Sequence, residues 1–509
     1  MMAPMQRAAV IDMGSNSFRL VVYGYEPARH WHLVDEIREA VRVGEGVGDD
    51  QMLREEPMER AARTARMFAA FCRASGIDDV TAVATSAIRD AGNGDDLLAR
   101  VRDETGLEPR VLSGEEEARY GYLAIANQTT LTDGYGLDIG GGSVQVMRLD
   151  ERNLTHSNSW PLGAVRMSER FLPDDEASGK QIKALRKHVR SVLEDEDWIE
   201  SGDPARATGI GGTIRNLASA GERRAGLPQT DGEGFELTRD ALGELIDELA
   251  SMPASKRGGV PGIKPDRGDV ILAGAVVLDE LLERTGAKAV EATGAGLREG
   301  VFFERFLADR DPPLVEDVRR ASVLNLAGRY HDDLGHPRHV AHLSLEVYDG
   351  LSDVELAADD REERELLWAA CLLHDIGTAV DYDDHHKHSR YLILNAGLPG
   401  YSPREVQLIA LIARYHRKGD PDASELGPLA RKHDEQRLEL LAGIIRLAEQ
   451  LERSRDGSVA EVTVYVPNGS VVIEPTTTAD ASVAIWSARR NADLLERAID
   501  RELEIAPDG

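Results

Sequence analysis

A short strand-turn-strand pattern occurs twice in the chain, as AAVIDMGSNSFRLVVY from Ala8 to Tyr23 and as GYGLDIGGGSVQVMRL from Gly134 to Leu149. The copies align at Asp12 with Asp138, Gly14 with Gly140 and Ser17 with Ser143. Each puts a carboxylate at the end of an apolar strand and follows it with a small-residue turn, whose backbone N–H groups stay free to face an anion. A single D-x-G reads as an ordinary hairpin turn. Two in the same strand context predict a pair of facing loops that clamp a phosphate and a metal ion.

Each copy also opens a similar order of elements. Strands at 8–23 and 31–43, a helix at 60–75, a strand at 80–84 and a helix at 95–105 form the first set. After the second hairpin come helices at 181–194, 239–250 and 269–284, with strands at 206–209 and 289–292 and a helix after Gly296. Two related α/β lobes with their loops at the junction is the simplest architecture, and ligands in open α/β sheets sit at such junctions. The segment RDPPLV at 310–315 ends this pattern. Helical spacing dominates from there to about residue 455, as in LLWAACLLH and LIALIARYH. The tail alternates like strands in VAEVTVYV and GSVVIEP and closes with ARRNADLLERAIDRELEI, which reads as one amphipathic helix. The expected parts are an α/β lobe at 1–126, a second at 127–308, a helical domain at 309–455 and a small α/β cap at 456–509.

No apolar run approaches the roughly 20 residues that span a bilayer, and MMAPMQRAAVIDMG has no secretory pattern, so a cytoplasmic protein without a membrane partner is expected. Cys72 and Cys371 fall on apolar helix faces and are expected to pack in cores. A net charge of −30 would ordinarily oppose a polyanionic substrate and argues against nucleic acid. Yet only nine of the 60 basic residues are Lys, the rest being Arg. Excess carboxylate with scarce Lys resembles adaptation to high salt, where the Debye length falls to about 3 Å at 1 M and overall charge ceases to matter. Arginines beside the Gly-rich turns remain free to bind anions.

Further motifs carry candidate chemistry. In VLSGEEEARYGYLA, Ser113 and Glu116 have the spacing of a capping box, but a carboxylate shortly before the second loop also suits activation of a water. ATSAIRDAGN places Arg89 beyond a strand, where a guanidinium can grip phosphate oxygens. ATGIGGTIRNLA offers Gly209, Gly211, Gly212 and Thr213 at a helix start, and ATGAGLREGVFF offers Gly294, Gly296 and Arg298 at another.

The ordered motifs IDMGSNSFRLVV, ATSAIRDAGN, SGEEEARYGYLA, LDIGGGSVQVM, WPLGAVRMSERF, GIGGT, PDRGDVILAGA and GLREG resemble the exopolyphosphatase and guanosine pentaphosphate phosphohydrolase (Ppx/GppA) family over residues 7–305. The resemblance implies an actin, sugar kinase and Hsp70-like (ribonuclease H-like) α/β fold. It implies release of terminal phosphate from inorganic polyphosphate, or of the 5′ γ-phosphate from guanosine pentaphosphate, with Mg²⁺ or Mn²⁺. Carried over, Asp12 with Gly14, Ser15, Asn16 and Ser17 matches the first phosphate loop, and Asp138 with Gly140, Gly141, Gly142 and Ser143 the second. Glu116 falls at the family's catalytic carboxylate and Arg89 at a phosphate-gripping Arg; Gly211, Gly212, Thr213 and Arg298 extend the anion site. Asp12 and Asp138 would hold the metal.

One position departs. The family's second loop ends in a Glu where this chain has Gln145, a neutral amide that ligates Mg²⁺ weakly and accepts no proton at neutral pH. A catalytically weak binding or sensing protein therefore stands beside the exopolyphosphatase reading. In the helical part, HPRHVAHLSLEVYD, LLHDIG, DDHHKHSRYLILN and ARYHRK resemble the HD superfamily and the helical domain of long exopolyphosphatases. That likeness implies a homodimer and a second metal site, with His342, His374, Asp375 and Glu449 as candidate ligands and a separate nucleotide hydrolase as a further alternative. His385, His386, Lys387, His388, Arg414, His416, Arg417 and Lys418 form a basic cluster suited to holding a long anion.

Overall fold

Asp12 stands directly across from Arg19 in the first hairpin, and Asp138 directly across from Gln145 in the second, so the sequence repeat is also a repeat of register. The computed structural model describes residues 5–48, 50–199, 205–227, 232–331, 333–467 and 469–506. Its first sheet joins β1 (Gln6–Met13), β2 (Phe18–Glu26), β3 (His30–Glu39), β4 (Asp79–Ala84) and β5 (Arg110–Val111) in the order β3-β2-β1-β4-β5. The second joins β6 (Gly134–Ile139), β7 (Val144–Asp150), β8 (Asn153–Trp160), β9 (Ala207–Ile210), β10 (Glu236–Thr238) and β11 (Ala289–Ala292) in the order β10-β11-β9-β6-β7-β8. In both sheets three antiparallel strands lead into parallel ones, with β4 beside β1 and β9 beside β6. Near-continuous apolar runs such as Ala8–Ile11 suit these central strands, which are covered on both faces.

Two helices pack together at the junction of the lobes and aim the functional side chains. Gly114–Gln128 starts at Ser113, whose side chain and that of Glu116 make a complete capping box. Leu297–Phe306 crosses it at Gly300, where an added Cβ would lie 1.9 Å from the Tyr120 carbonyl oxygen, so only Gly allows this approach. Phe302 stacks on Tyr23 with ring centroids 4.1 Å apart, and Phe303 and Phe306 extend the aromatic cluster. Tyr23 and Val83 of the first lobe share this core with Met147 and Ile210 of the second. Each fully buried Phe contributes on the order of 1.5–3 kcal/mol, so the junction is held as firmly as a lobe interior. Cys72 and Cys371 are both buried and free.

Contacts divide the chain into one unit up to Val318 and another from Arg319 onward. The second unit packs the helices Gly335–Asp353, Arg361–Leu373, His385–Ala396, Pro403–Tyr415 and Asp434–Leu451 on one another. A sheet of β12 (Val459–Tyr465), β13 (Val471–Thr477) and β14 (Leu503–Ile505) contributes Val459, Val471 and Ile505 to the same core. The residues expected as a separate cap thus share the core of the helical part. The expected final amphipathic helix is not continuous: Ser482–Arg489 and Asp493–Ile499 are helical, Asp500 turns at φ 50°, and β14 pairs parallel with β13. Leu503 and Ile505 alternate with Glu504, a period-two pattern that the sheet edge satisfies better than another helical turn. Among the described residues no helix is long and apolar enough to cross a membrane.

Candidate active site

The cleft between the two sheets is floored by both hairpins. Asp12, Gly14, Ser15, Asn16 and Ser17 face it from one side, and Asp138, Gly140, Gly141, Ser143 and Gln145 from the other. Two helix N-termini open into it, one at Gly211 and Gly212 and one at Gly296, Leu297 and Arg298. Their free N–H groups and dipoles favour an anion. Gly211 has φ +89°, and a Cβ there would sit 2.5 Å from Asp138 Oδ1, so the glycine is required by both backbone and space.

The two aspartates do not rest easily as anions. Burial pushes the Asp12 carboxyl up against the pull of Arg298 and Arg19. Asp138 is pushed to about 6 by burial and then by the charge of Asp12. Two carboxylates facing one cleft and repelling each other are a donor set that fits a hard divalent cation such as Mg²⁺, which binds oxygen and relieves that repulsion.

Glu117, not Glu116, lines the cleft. The Glu116 side chain is about 41% exposed, accepts from the Ser113 backbone N–H at 2.8 Å and faces Arg110 at 3.6 Å. The expectation for Glu116 is therefore corrected by one residue, because the capping box takes its carboxylate and turns it outward. Glu117, one residue or about 100° further round the helix, points at the sheets and is only 7% exposed. Burial raises its pKa to about 7 even though Arg89 pairs with it, and the charges of Asp138 and Asp12 push the same way. The Gln145 amide nitrogen donates to Glu117 Oε2 at 3.1 Å and also lies 2.9 Å from Ser143 Oγ and 3.0 Å from Ser159 Oγ. Because the carboxylate only accepts, this contact fixes which way the amide faces. The amide nitrogen of Gln145 is thus committed to Glu117, while the residue still lines the cleft with Asp12 and Asp138.

Arg89 lies against Glu117, the Leu112 carbonyl at 2.9 Å and Asp90 at 3.2 Å, and does not line the cleft. Gly142 backs onto Ser86, and Thr213 is buried against Gly274; neither lines it either. The cations that do are Arg19, Arg215, Arg267 and Arg298. Burial, then Arg298 and Arg215, lowers Arg19 to about 10, and burial followed by Arg298 lowers Arg215. Burial and Arg38 lower Arg267, while Lys264 is lowered by burial and then by Arg215 and Arg19. Burial also opposes the charge of Arg298, but Glu299 and Asp12 outweigh it and hold its pKa above the ordinary Arg value. A buried array of cations that repel one another is relieved by an anion of several charges. Arg19, Arg215 and Arg267 escaped sequence reasoning although each lies in or beside a quoted motif, because only the fold makes them converge.

In the second unit, His374 Nε2 lies 3.2 Å from Glu449 and 3.7 Å from Asp375. His342 is elsewhere, half exposed and within 3.2 Å of the Ala460 carbonyl and 3.4 Å of Glu346. His336 takes its place, with Nε2 3.1 Å from Glu449. Six residues turn a helix by about 240°, so His336 and His342 face different sides. The basic cluster is divided: His385, His386 and His416 are buried, while Lys387 and Lys418 stay exposed and pair with Asp384 at 2.7 and 3.2 Å.

The twinned sheets, paired phosphate turns and convergent helix N-termini define a two-lobed, actin-like phosphate-handling fold. Residues 21–308 match the Ppx/GppA phosphatase family and residues 318–476 match Ppx/GppA phosphatase domain III. The chain belongs to the Ppx/GppA phosphatase family, whose members are phosphohydrolases. Among solved structures, it resembles a Ppx/GppA family member from Aquifex aeolicus at 27% identity and TM-score 0.53, over 60% of this chain and 99% of that one. An exopolyphosphatase-like protein is 26% identical with TM-score 0.54, over 59% and 97% respectively. An exopolyphosphatase from Cytophaga hutchinsonii, 23% identical with TM-score 0.54 over 59% and 98%, shares the fold.

Proposed function

We propose that the chain is an exopolyphosphatase, removing the terminal phosphate of inorganic polyphosphate. The observation that carries this reading is Glu117, a cleft carboxylate with a pKa raised to about 7, set beside two phosphate turns and two helix N-termini. A base with its pKa near the working pH is both deprotonated and able to accept a proton. Glu117 takes a proton from a water as the water oxygen attacks the terminal phosphorus; the bond to the bridging oxygen breaks and the shortened chain leaves with its electron pair. The backbone N–H groups of the two turns and of Gly211 and Gly296 hold the equatorial oxygens, and Arg298 holds Asp12 in place at 3.3 Å. Mg²⁺ or Mn²⁺ held by Asp12 and Asp138 would neutralise charge on the phosphate oxygens. Gln145 orients Glu117 and does not replace it, so the amide at this position is compatible with turnover.

Arg19, Arg215 and Arg267, with Lys264 behind them, favour an unbroken chain of phosphates over a substrate whose phosphates are interrupted by a bulky neutral nucleoside. That array supports polyphosphate over guanosine pentaphosphate, the alternative substrate. Cytoplasmic residence, a homodimer and activity in high salt belong to the same proposal. The test is phosphate release from long-chain polyphosphate and from guanosine pentaphosphate, with Mg²⁺ at molar KCl. A higher kcat/KM on polyphosphate is expected; a preference for the nucleotide would reverse the substrate assignment, and release from neither would leave a binding protein.

A further inference from the structure

Three helices of the chain begin with an acceptor that folds back on the helix start. Glu116, Gln181 and Glu405 each take the backbone N–H of the residue three before, Ser113, Ser178 and Ser402, at 2.7 to 2.8 Å. Helix Leu297–Phe306 has the same spacing, with Gly296 before it and Glu299 at the matching position, but a different outcome. Glu299 Oε1 accepts from the Tyr23 hydroxyl at 2.9 Å, and Oε2 is buried with no hydrogen-bond partner among the described residues. That oxygen stands 3.6 Å from the place a Cβ on Gly296 would take, so the helix start is within reach of the side chain. Gly296 has no side chain with which to supply the other half of the box.

The packing of Tyr23 explains why its hydroxyl reaches that carboxylate. Val21 and Tyr23 join one core cluster and Leu20 and Val22 another, so Tyr23 shares a face of β2 with Arg19. Its ring stacks on Phe302 with centroids 4.1 Å apart and an interplanar angle of 22°, and meets Trp31 edge-on at 5.8 Å. Phe302 lies three residues after Glu299 and hence on the same face of the helix. One turn of helix fixes the ring while the turn before it receives the hydroxyl. Burial pushes the Tyr23 hydroxyl well above its ordinary range, and the charge of Glu299 adds to that, so it stays a donor. The helix start kept clear in this way belongs to the cleft, which Gly296, Leu297 and Arg298 all line.

We propose that Tyr23 is a positioning residue for the phosphate seat: its hydroxyl holds the Glu299 carboxylate off the N-terminus of this helix and so leaves the N–H groups there open to an anion. This role rests on the proposed reading of the cleft as a phosphate site. Without the tether, Glu299 closes the box on the Gly296 N–H, as Glu116 does at Ser113, and sets a resident negative charge where a phosphate oxygen would sit. An internal carboxylate at that point competes with every incoming phosphate. From the held position its charge instead offsets the cost of burying Arg298.

Isothermal titration calorimetry of the full chain with inorganic phosphate and Mg²⁺ reads the seat without turnover. Tyr23→Phe should bind phosphate about three- to tenfold more weakly than the parent, the range expected for one capping contact at a helix N-terminus. Glu299→Met, which removes the competing carboxylate, should bind at least as tightly as the parent, and Tyr23→Phe combined with Glu299→Met should return to that level. A purely structural role for Tyr23 gives no such rescue. With polyphosphate, KM should rise in Tyr23→Phe by the same factor and recover in the double variant. Unchanged binding in Tyr23→Phe overturns the proposal, as does a double variant as weak as Tyr23→Phe. A loss of phosphate affinity in Glu299→Met alone also overturns it, and that result does not depend on a Tyr23 variant folding. A parent that binds no phosphate overturns the reading of the cleft and the proposal with it. The expected binding pattern without turnover of polyphosphate supports the proposal and removes only the hydrolase reading.

Discussion

At the residue scale, the chemistry turns on a single step along one helix. Ser113, Glu116 and Glu117 were all visible in SGEEEAR, and the choice between the two carboxylates depends on helix phase. Phase is set by where the cap falls: once Ser113 caps the helix, Glu116 must fold back to the Ser113 N–H, and Glu117 turns toward the sheets. The capping rule is legible in the sequence, but which of two adjacent glutamates meets the cleft also depends on where the sheets lie, and only the fold supplies that. Because Glu117 is a base raised to about 7, kcat/KM should rise with pH through about pH 7, since the ionised form is the active one and protonation dominates below that value. Gln145→Glu puts a second carboxylate where an amide now donates at 3.1 Å, which raises the Glu117 pKa further. The acid limb of the pH–rate profile should then move upward by about one pH unit, costing about tenfold in rate on that limb and little at alkaline pH. An unmoved limb would mean that position 145 does not sense Glu117.

At the scale of elements, the hairpins were legible because their information is local: apolar strand, carboxylate and small-residue turn all fall within sixteen residues of sequence. The helix N-termini at Gly211 and Leu297 were legible for the same reason. Convergence was not. Arg19 and Arg215 sit on separate elements, and only the stacking of two lobes on the Phe302 cluster brings them to one cleft. The split of the last expected helix shows the complementary failure, in which parallel pairing of β14 with β13 outweighs helical propensity near Leu503. Gly211→Ala tests the turn itself. A side chain at φ +89° is strained by about 1–2 kcal/mol, and the new Cβ would displace Asp138 from the floor of the cleft. Turnover should fall at least tenfold and the Mg²⁺ concentration for half-maximal activity should rise, while circular dichroism stays unchanged; normal Mg²⁺ dependence would show that the turn tolerates a methyl group.

At the scale of the whole molecule, charge and fold address different questions. The net charge of −30 coexists with a cleft of four arginines, so the long-range field opposes the substrate that the local field attracts. Screening removes the first and spares the second, because buried pairs are screened least. KM for polyphosphate should therefore fall, and the melting temperature rise, as KCl is raised from about 0.1 M to 1 M, over which the Debye length shrinks from about 10 to 3 Å. A KM that rises with salt would show that exposed rather than buried cations hold the chain. The central claim is that Glu117 deprotonates the attacking water, and steady-state phosphate release from polyphosphate by Glu117→Gln and Glu116→Gln tests it most directly. The account predicts a loss of 10²–10⁴-fold in kcat for Glu117→Gln, as expected on removing a general base, and a change of no more than about twofold for Glu116→Gln, since Gln still completes the capping box. The reverse order of the two losses would contradict it.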